Sequence, residues 1–218
     1  MTAPTQLAML LADARLPTGG HAYSAGMEPA LTSGMPRADA RDLLRARART
    51  TSQVEAGTAV LARHRVLVGA PLQAVQDAWA ARTPSPAVRD ASTAHARGYL
   101  RLARRLWPAA DYAALPEKPC RAVVLGMIAA AAGLPAEDLV RLVIYDEAAT
   151  AAAALLKLDP RDPAETTAWI LDACAAAEPT VAQIAAVTDP AAVPASGAPH
   201  SEQWAQTHAR LTQRLFRA

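Results

Sequence analysis

The sequence predicts an all-α chain, a single-domain bundle of about 8–10 helices. Three observations carry that prediction. Hydrophobic residues make up 52% of the 218 positions but aromatic ones only 4%, with a single phenylalanine at 216, so the core must be built from alanine, leucine and valine. The alanine runs AAAAG (129–133) and ATAAAALLKL (149–158) are strong helix formers and poor strand material. Apolar residues also recur at helical spacing, as at Val54, Leu61 and Val68. A chain of this length can bury one sizeable core.

The elements follow in order. A first helix is expected over about 4–13 and is broken by LPTGG (16–20). A second should occupy about 22–33 and stop at Gly34 and Pro36. Asp39 is placed to cap a long third helix that reaches Val68 and ends at Gly69 and Pro71. A short helix over 71–82 leads to the turn TPSP (83–86). From 87 to 106 one helical face carries Val88, Ala91, His95, Gly98 and Leu102. Glycine in mid-helix costs roughly 1 kcal/mol against alanine, so Gly98 marks a place where another backbone comes close.

After the loop 107–119, CRAVVLGMIAAAAG (120–133) has no charge except Arg121 and should be the central buried helix. Pro135, Glu137 and Asp138 open a further helix to about Leu158, since proline suits a first turn and acids favour its positive end. DPRDP (159–163) breaks it, and helices over 164–177 and 180–188 complete the domain at residue 188. DPAAVPASGAPH (189–200) reads as a flexible linker. SEQWAQTHARLTQRLFRA (201–218) returns to helical period, with Trp204, His208, Leu211 and Leu215 on one stripe and Arg210, Arg214 and Arg217 beside it. Such a tethered amphipathic segment either docks into a partner or folds back on its own bundle.

Several function classes are disfavoured. Net charge is +2, and the local basic feature is Arg37, Arg41, Arg45 and Arg49, one stripe of a helix. A solvated face explains it; a helical nucleic-acid-binding regulator is the alternative, against which the low charge and scarce aromatics weigh. Cys120 and Cys174 are isolated, which suits a reducing compartment and neither a disulfide framework nor a zinc knuckle. The N-terminal apolar run lacks a basic leader, and no stretch of about eighteen apolar residues exists, so a cytoplasmic protein without a membrane span is expected.

LPTGGHAYSAGMEPA (16–30) has glycines but no Lys-Ser/Thr after them and no preceding strand, which excludes a P-loop and a dinucleotide loop. Ser24 is not in a nucleophile elbow. Histidines at 21, 64, 95, 200 and 208 form no metal-ligand spacing. His95 and Cys120 read as core residues, and Glu137-Asp138 and Asp146-Glu147 as solvated turns or caps. No general acid and base stand out, so the residues describe a binding protein; an enzyme using His95 or His21 is the competing reading.

The stretch LPTGGHAYSAGMEPAL (16–31) resembles the N-terminal signature of the urease accessory protein UreF family, roughly L-P-x-G-G-F-x-Y-S-x-G-L-E. Leu16, Pro17, Gly19, Gly20, Tyr23, Ser24, Gly26 and Glu28 match, and Met27 replaces a leucine. RDASTAHARGYLRLARRLWP (89–108), VVLGMIAAAAGLPAEDLVRLVIY (123–145) and RLFR (214–217) resemble further family segments in the same order. The chain departs from the pattern at His21, Cys120, Asp162, Ala209 and Thr212.

The resemblance implies an all-α homodimer without catalytic chemistry, tightly bound cofactor or metal site of its own. It implies assembly with the accessory protein UreD (also UreH) and the GTPase UreG, tuning of that GTPase, and nickel delivery to the urease apoenzyme. The nickel is then handled by the complex along an internal protein path, with at most transient contact to this chain. The residues implied to bind partners are Pro17, Gly19, Gly20, Tyr23, Ser24, Gly26 and Glu28 near the start, and Trp204, His208, Leu211, Arg214, Leu215, Phe216 and Arg217 in the tail.

Overall fold

A computed structural model describes residues 3–216. Among them there is no strand, and there are eleven α-helices, nine of eight residues or longer. They are α1 (Pro4–Leu11), α2 (Met27–Thr32), α3 (Ala40–Ala48), α4 (Thr51–Leu67), α5 (Gln73–Arg82), α6 (Pro86–Leu106), α7 (Arg121–Ala132), α8 (Ala136–Leu158), α9 (Pro163–Ala177), α10 (Val181–Ala185) and α11 (Pro199–His208). The expected all-α bundle is what the chain forms. Arg217 lies outside the described residues.

Helices α4, α7 and α8 make the centre. The almost uncharged α7 is buried from Arg121 to Ala129, as its composition required. Its small residues let α4 come close: a Cβ at Gly126 would stand 2.3 Å from the carbonyl oxygen of Ala59. Leu61, Ile128, Leu139, Leu155 and Trp79 fill the space around this contact. Helix α9 covers α8 and α3, and α6 covers α7.

Four expectations are corrected. The long helix over 39–68 is two helices, because Thr50 leaves helical geometry (φ −130°, ψ −98°) and ties its hydroxyl back to the Ala46 carbonyl at 2.8 Å. Thr50-Thr51 is a β-branched pair of poor helix formers, and the break lets α3 lie on α9 while α4 enters the core. Asp39 flanks α3 without a side-chain cap. The second helix begins at Met27, not 22, because Ala25 (φ +47°) and Gly26 (φ +82°) hold left-handed backbone that a helix cannot contain. The terminal helix ends at His208, so 211–216 do not continue its stripe.

The first arginine stripe is not simply solvated. Arg37 pairs with Asp159 at 3.3 Å, and Arg41 and Arg45 pair with Asp172 at 3.0 and 3.5 Å. These carboxylates, at the end of α8 and on α9, offset part of the charge on which a nucleic-acid reading depended. Asp162, a departure from the family pattern, caps α9 by accepting from the Ala164 N–H at 2.9 Å, with Pro163 in the first turn. No helix among the described residues is long and apolar enough to cross a membrane.

Candidate docking site formed by the two ends of the chain

The loop before α2 is shaped by what lies beneath it. Gly19 takes left-handed backbone (φ +85°), and the carbonyl of Thr18 then presses on α6. A Cβ at Gly98 would stand 1.8 Å from that oxygen, so the glycine read as a point of close approach has this loop as its neighbour. The Tyr23 ring turns inward onto His95 (centroids 5.4 Å apart), and His95 meets Tyr99 on its other side at 5.2 Å. His95 is thus a core histidine, yet neither ring nitrogen has a hydrogen-bond partner among the described residues. Burial, helped by Arg121, lowers its pKa to about 3, so the ring is neutral. Pro17 and His21 stay exposed, and Ser24 is buried.

The tail meets this loop. Glu28 is buried, and its carboxylate accepts the backbone N–H groups of Leu215 at 2.7 Å and Phe216 at 2.8 Å. His208 Nε2 lies 3.0 Å from the same carboxylate. Phe216 is buried beneath the Lys157 ammonium, which stands 5.2 Å from the ring centroid. Residues separated by 187 positions in sequence are therefore joined at one carboxylate. Leu211 and Leu215 point out, 43% and 62% exposed, and Arg214 is exposed beside them. Trp204 is half-buried against His200. Ala209 caps the end of α11, and Thr212 is exposed.

Residues 189–200, read as a flexible linker, lie against the bundle. Val193 is buried, and Arg82 donates to the carbonyls of Val193 at 3.0 Å and Pro190 at 3.1 Å. Pro194 rests on Gly57, where a Cβ would stand 2.5 Å from its ring. Proline-rich composition suits a tether and an extended strap equally. The choice here is made by a glycine on α4 and an arginine on α5.

Under the loop sits a buried charge cluster that the sequence reading missed. Arg121 is 2% exposed and reaches Glu147 at 3.0 Å and Asp146 at 3.1 Å. Arg47 reaches the other oxygen of Glu147 at 2.6 Å. Glu55 accepts from the Trp79 indole at 2.6 Å. Asp146-Glu147 is therefore corrected from a solvated turn to a buried ion-pair centre; Glu137-Asp138 is the exposed pair, bound to Arg141. The signal available in sequence was Arg121 itself, one charge in an apolar helix, which must carry its counter-charges with it. The cluster supports the loop, since a Cβ at Gly26 would stand 3.1 Å from the Arg47 guanidinium. A cavity of about 60 Å³ is lined by Tyr23, Arg47, Glu55, His95, Arg121 and Glu147.

The carboxylates divide by environment. Burial would raise Glu147, but Arg121 and Arg47 outweigh it and hold the group below the usual carboxylate range. Burial dominates at Glu55 and raises it. Burial also raises Asp146, to about 6, with Arg121 opposing and Glu147 assisting. The folded chain then holds a proton on Asp146 that the unfolded chain has lost above its ordinary value of 3.8. Stability from this group is full below that value and falls as pH rises towards about 6. Asp146→Asn removes the effect. The wild type is expected to lose about 2–3 kcal/mol relative to this variant between the two pH values, at 1.4 kcal/mol per unit. Denaturant melts of both proteins from pH 4 to 7 check it, and parallel curves refute it.

The arrangement offers packing, hydrogen bonds and charge. Burial pushes the Cys120 thiol up, so it rests protonated. Among the described residues no group of three or more His, Cys, Asp or Glu side chains could hold a metal ion.

Comparison with known proteins gives the family. The family model UreF matches residues 36–174. The chain is 42% identical over 195 residues to a urease accessory protein UreF of Mycobacterium marinum, covering 85% of this chain and 90% of the relative. It is 41% identical over 189 residues to that of Mycolicibacterium vanbaalenii, covering 84% and 88%. It is 38% identical over 197 residues to that of Mycobacterium tuberculosis, covering 85% and 90%. An all-α bundle that joins its N-terminal signature loop to its C-terminal segment, and matches these proteins over most of its length, belongs to the UreF family of urease accessory proteins.

Proposed function

We propose that this chain is a non-catalytic cytoplasmic assembly factor for urease maturation. It docks a UreD/UreH-type accessory protein and the GTPase UreG, acts on the GTPase as part of that assembly, and promotes nickel delivery to the urease apoenzyme. Nickel is cargo of the complex, passed without a tight site on this chain, and the working unit is a homodimer.

The observation that supports the docking role most is the joining of loop and tail at Glu28, with Leu211 and Leu215 left outside. A carboxylate that holds the tail backbone fixes where those leucines stand, and two fixed exposed leucines beside an arginine are the composition of an interface core and rim. Removing 201–218 outright is a poor test, because it strips Glu28 of the amides it accepts. Leu211→Ser with Leu215→Ser leaves those amides in place. The pair is expected to reduce co-purification with the UreD/UreH-type protein at least tenfold, to reduce urease activation in co-expressing cells accordingly, and to leave the melting temperature within about 2 °C. Undiminished co-purification and activation overturn the tail reading. A wild-type chain that does not raise urease activity when co-expressed with the subunits and the other accessory proteins overturns the function itself.

A further inference from the structure

The bundle carries two arginine stripes with different fates. Arg37, Arg41 and Arg45 are answered by Asp159 and Asp172 within the chain. Arg97, Arg101, Arg104 and Arg105 on α6 are all exposed, and among the described residues none of the four makes an ion pair. At 100° per residue they fall within an arc of about 100°, and Arg97 to Arg105 spans about 12 Å. Like charges three and four residues apart destabilise a helix. Asp90 stands on the same face, about 10 Å before Arg97. Arg101 spends one N–H on the Pro17 carbonyl at 3.0 Å, and Arg104 lies 5.8 Å from the Tyr112 ring centroid. Neither contact supplies a negative charge.

A crevice of about 260 Å³ opens beside this stripe, between α6 and the N-terminal loop. Gly19, Ala22 and Tyr23 line one side, and Arg97 and Arg101 the other. We propose that this face is a second docking surface, which receives an acidic segment of a partner protein, with its carboxylates on Arg97 and Arg101 at the crevice. The guanidinium fork matches a carboxylate in two-point geometry. A protein carboxylate fits better than a nucleic-acid backbone. The basic track is short, the whole chain carries only +2, and Tyr23 at the crevice is turned onto His95 and not out for base stacking. The proposal rests on the reading that the chain works by docking other proteins.

Arg97→Glu with Arg105→Glu tests it without touching the Arg101 contact to the loop. Arg49→Glu with Lys118→Glu makes the same change in net charge on other faces. The probes are the purified complex with the co-expressed urease accessory proteins, a fluorescent octaglutamate peptide, and a single-stranded DNA octamer. The α6 variant is expected to weaken complex formation at least tenfold at low salt, to flatten its salt dependence, and to lose octaglutamate binding, while the control pair does none of these. Equal effects of the two variants, or a complex unchanged by the α6 pair while the wild type still activates urease, overturn the proposal and leave the functional reading intact. DNA bound more tightly than octaglutamate overturns the choice of carboxylate.

Discussion

Gly98→Ala is expected to destabilise the protein by roughly 2–4 kcal/mol, although alanine is the better helix former. In an exposed helix the change would stabilise by about 1 kcal/mol. Here the new methyl would stand 1.8 Å from the Thr18 carbonyl oxygen and 2.7 Å from its Cα. Both are backbone atoms, so no side chain can rotate away; either the loop lifts or α6 shifts. Overpacking of this kind typically costs 1–3 kcal/mol, and a backbone clash sits at the upper end or beyond. For a chain of this size the melting temperature should fall by about 5–12 °C. The effect should also reach the docking surfaces, because Thr18 begins the turn that sets Tyr23 on His95 and carries the chain to Glu28. Calorimetry decides the matter by its sign: a melting temperature equal to or above wild type would falsify the close approach.

Arg121→Met is expected to cost about 3–5 kcal/mol near neutral pH, the range for removing one partner of a buried ion pair. Methionine replaces the side-chain volume but not the charge. Glu147 keeps Arg47 at 2.6 Å, while Asp146 loses the one ion-pair partner it has among the described residues and Glu55 the largest charge that offsets its burial. The carboxylates should then take up protons, so the loss should shrink as pH falls from 7 towards 5. Chemical denaturation at both pH values measures it. A variant as stable as wild type at pH 7 would mean that the cluster is hydrated enough to screen its own charges. Combining Arg121→Met with Asp146→Asn should recover part of the loss, because the second change removes a carboxylate that the first has left uncompensated.

Much of the architecture could be read along the chain, because it depends on local chemistry. Proline and glycine placed the ends of α7, α8 and α9, since those residues act on the backbone wherever they stand. The burial of α7 followed from its composition, and the close approach at Gly98 from the cost of a glycine inside a helix. The break at Thr50 was hidden because helical periodicity runs through Val54, Leu61 and Val68 without registering that α3 and α4 have different neighbours. The terminal helix was overextended for a related reason: Leu211 and Leu215 keep the period, but Glu28 draws the backbone amides of Leu215 and Phe216 out of helical pairing.

The site divides in the same way. The residues of the loop and of the tail were legible as two separate groups, through their resemblance to one family. That they meet at Glu28 was not, since hydrogen bonds across 187 and 188 positions leave no spacing to count. Nor was the centre beneath them, where Asp146-Glu147 looked like any acidic pair on a helix surface. Composition and local backbone preference by themselves determined an all-α, alanine-packed bundle and the ends of most of its helices, while the resemblance of its segments pointed to the family it belongs to. The tertiary structure alone decided which charges are buried, which arginine stripe is partly paired and which left open, and where the tail lies. Those outcomes depend on distances between remote residues and on how much water remains around each charge, and neither quantity is written in the order of residues along a chain.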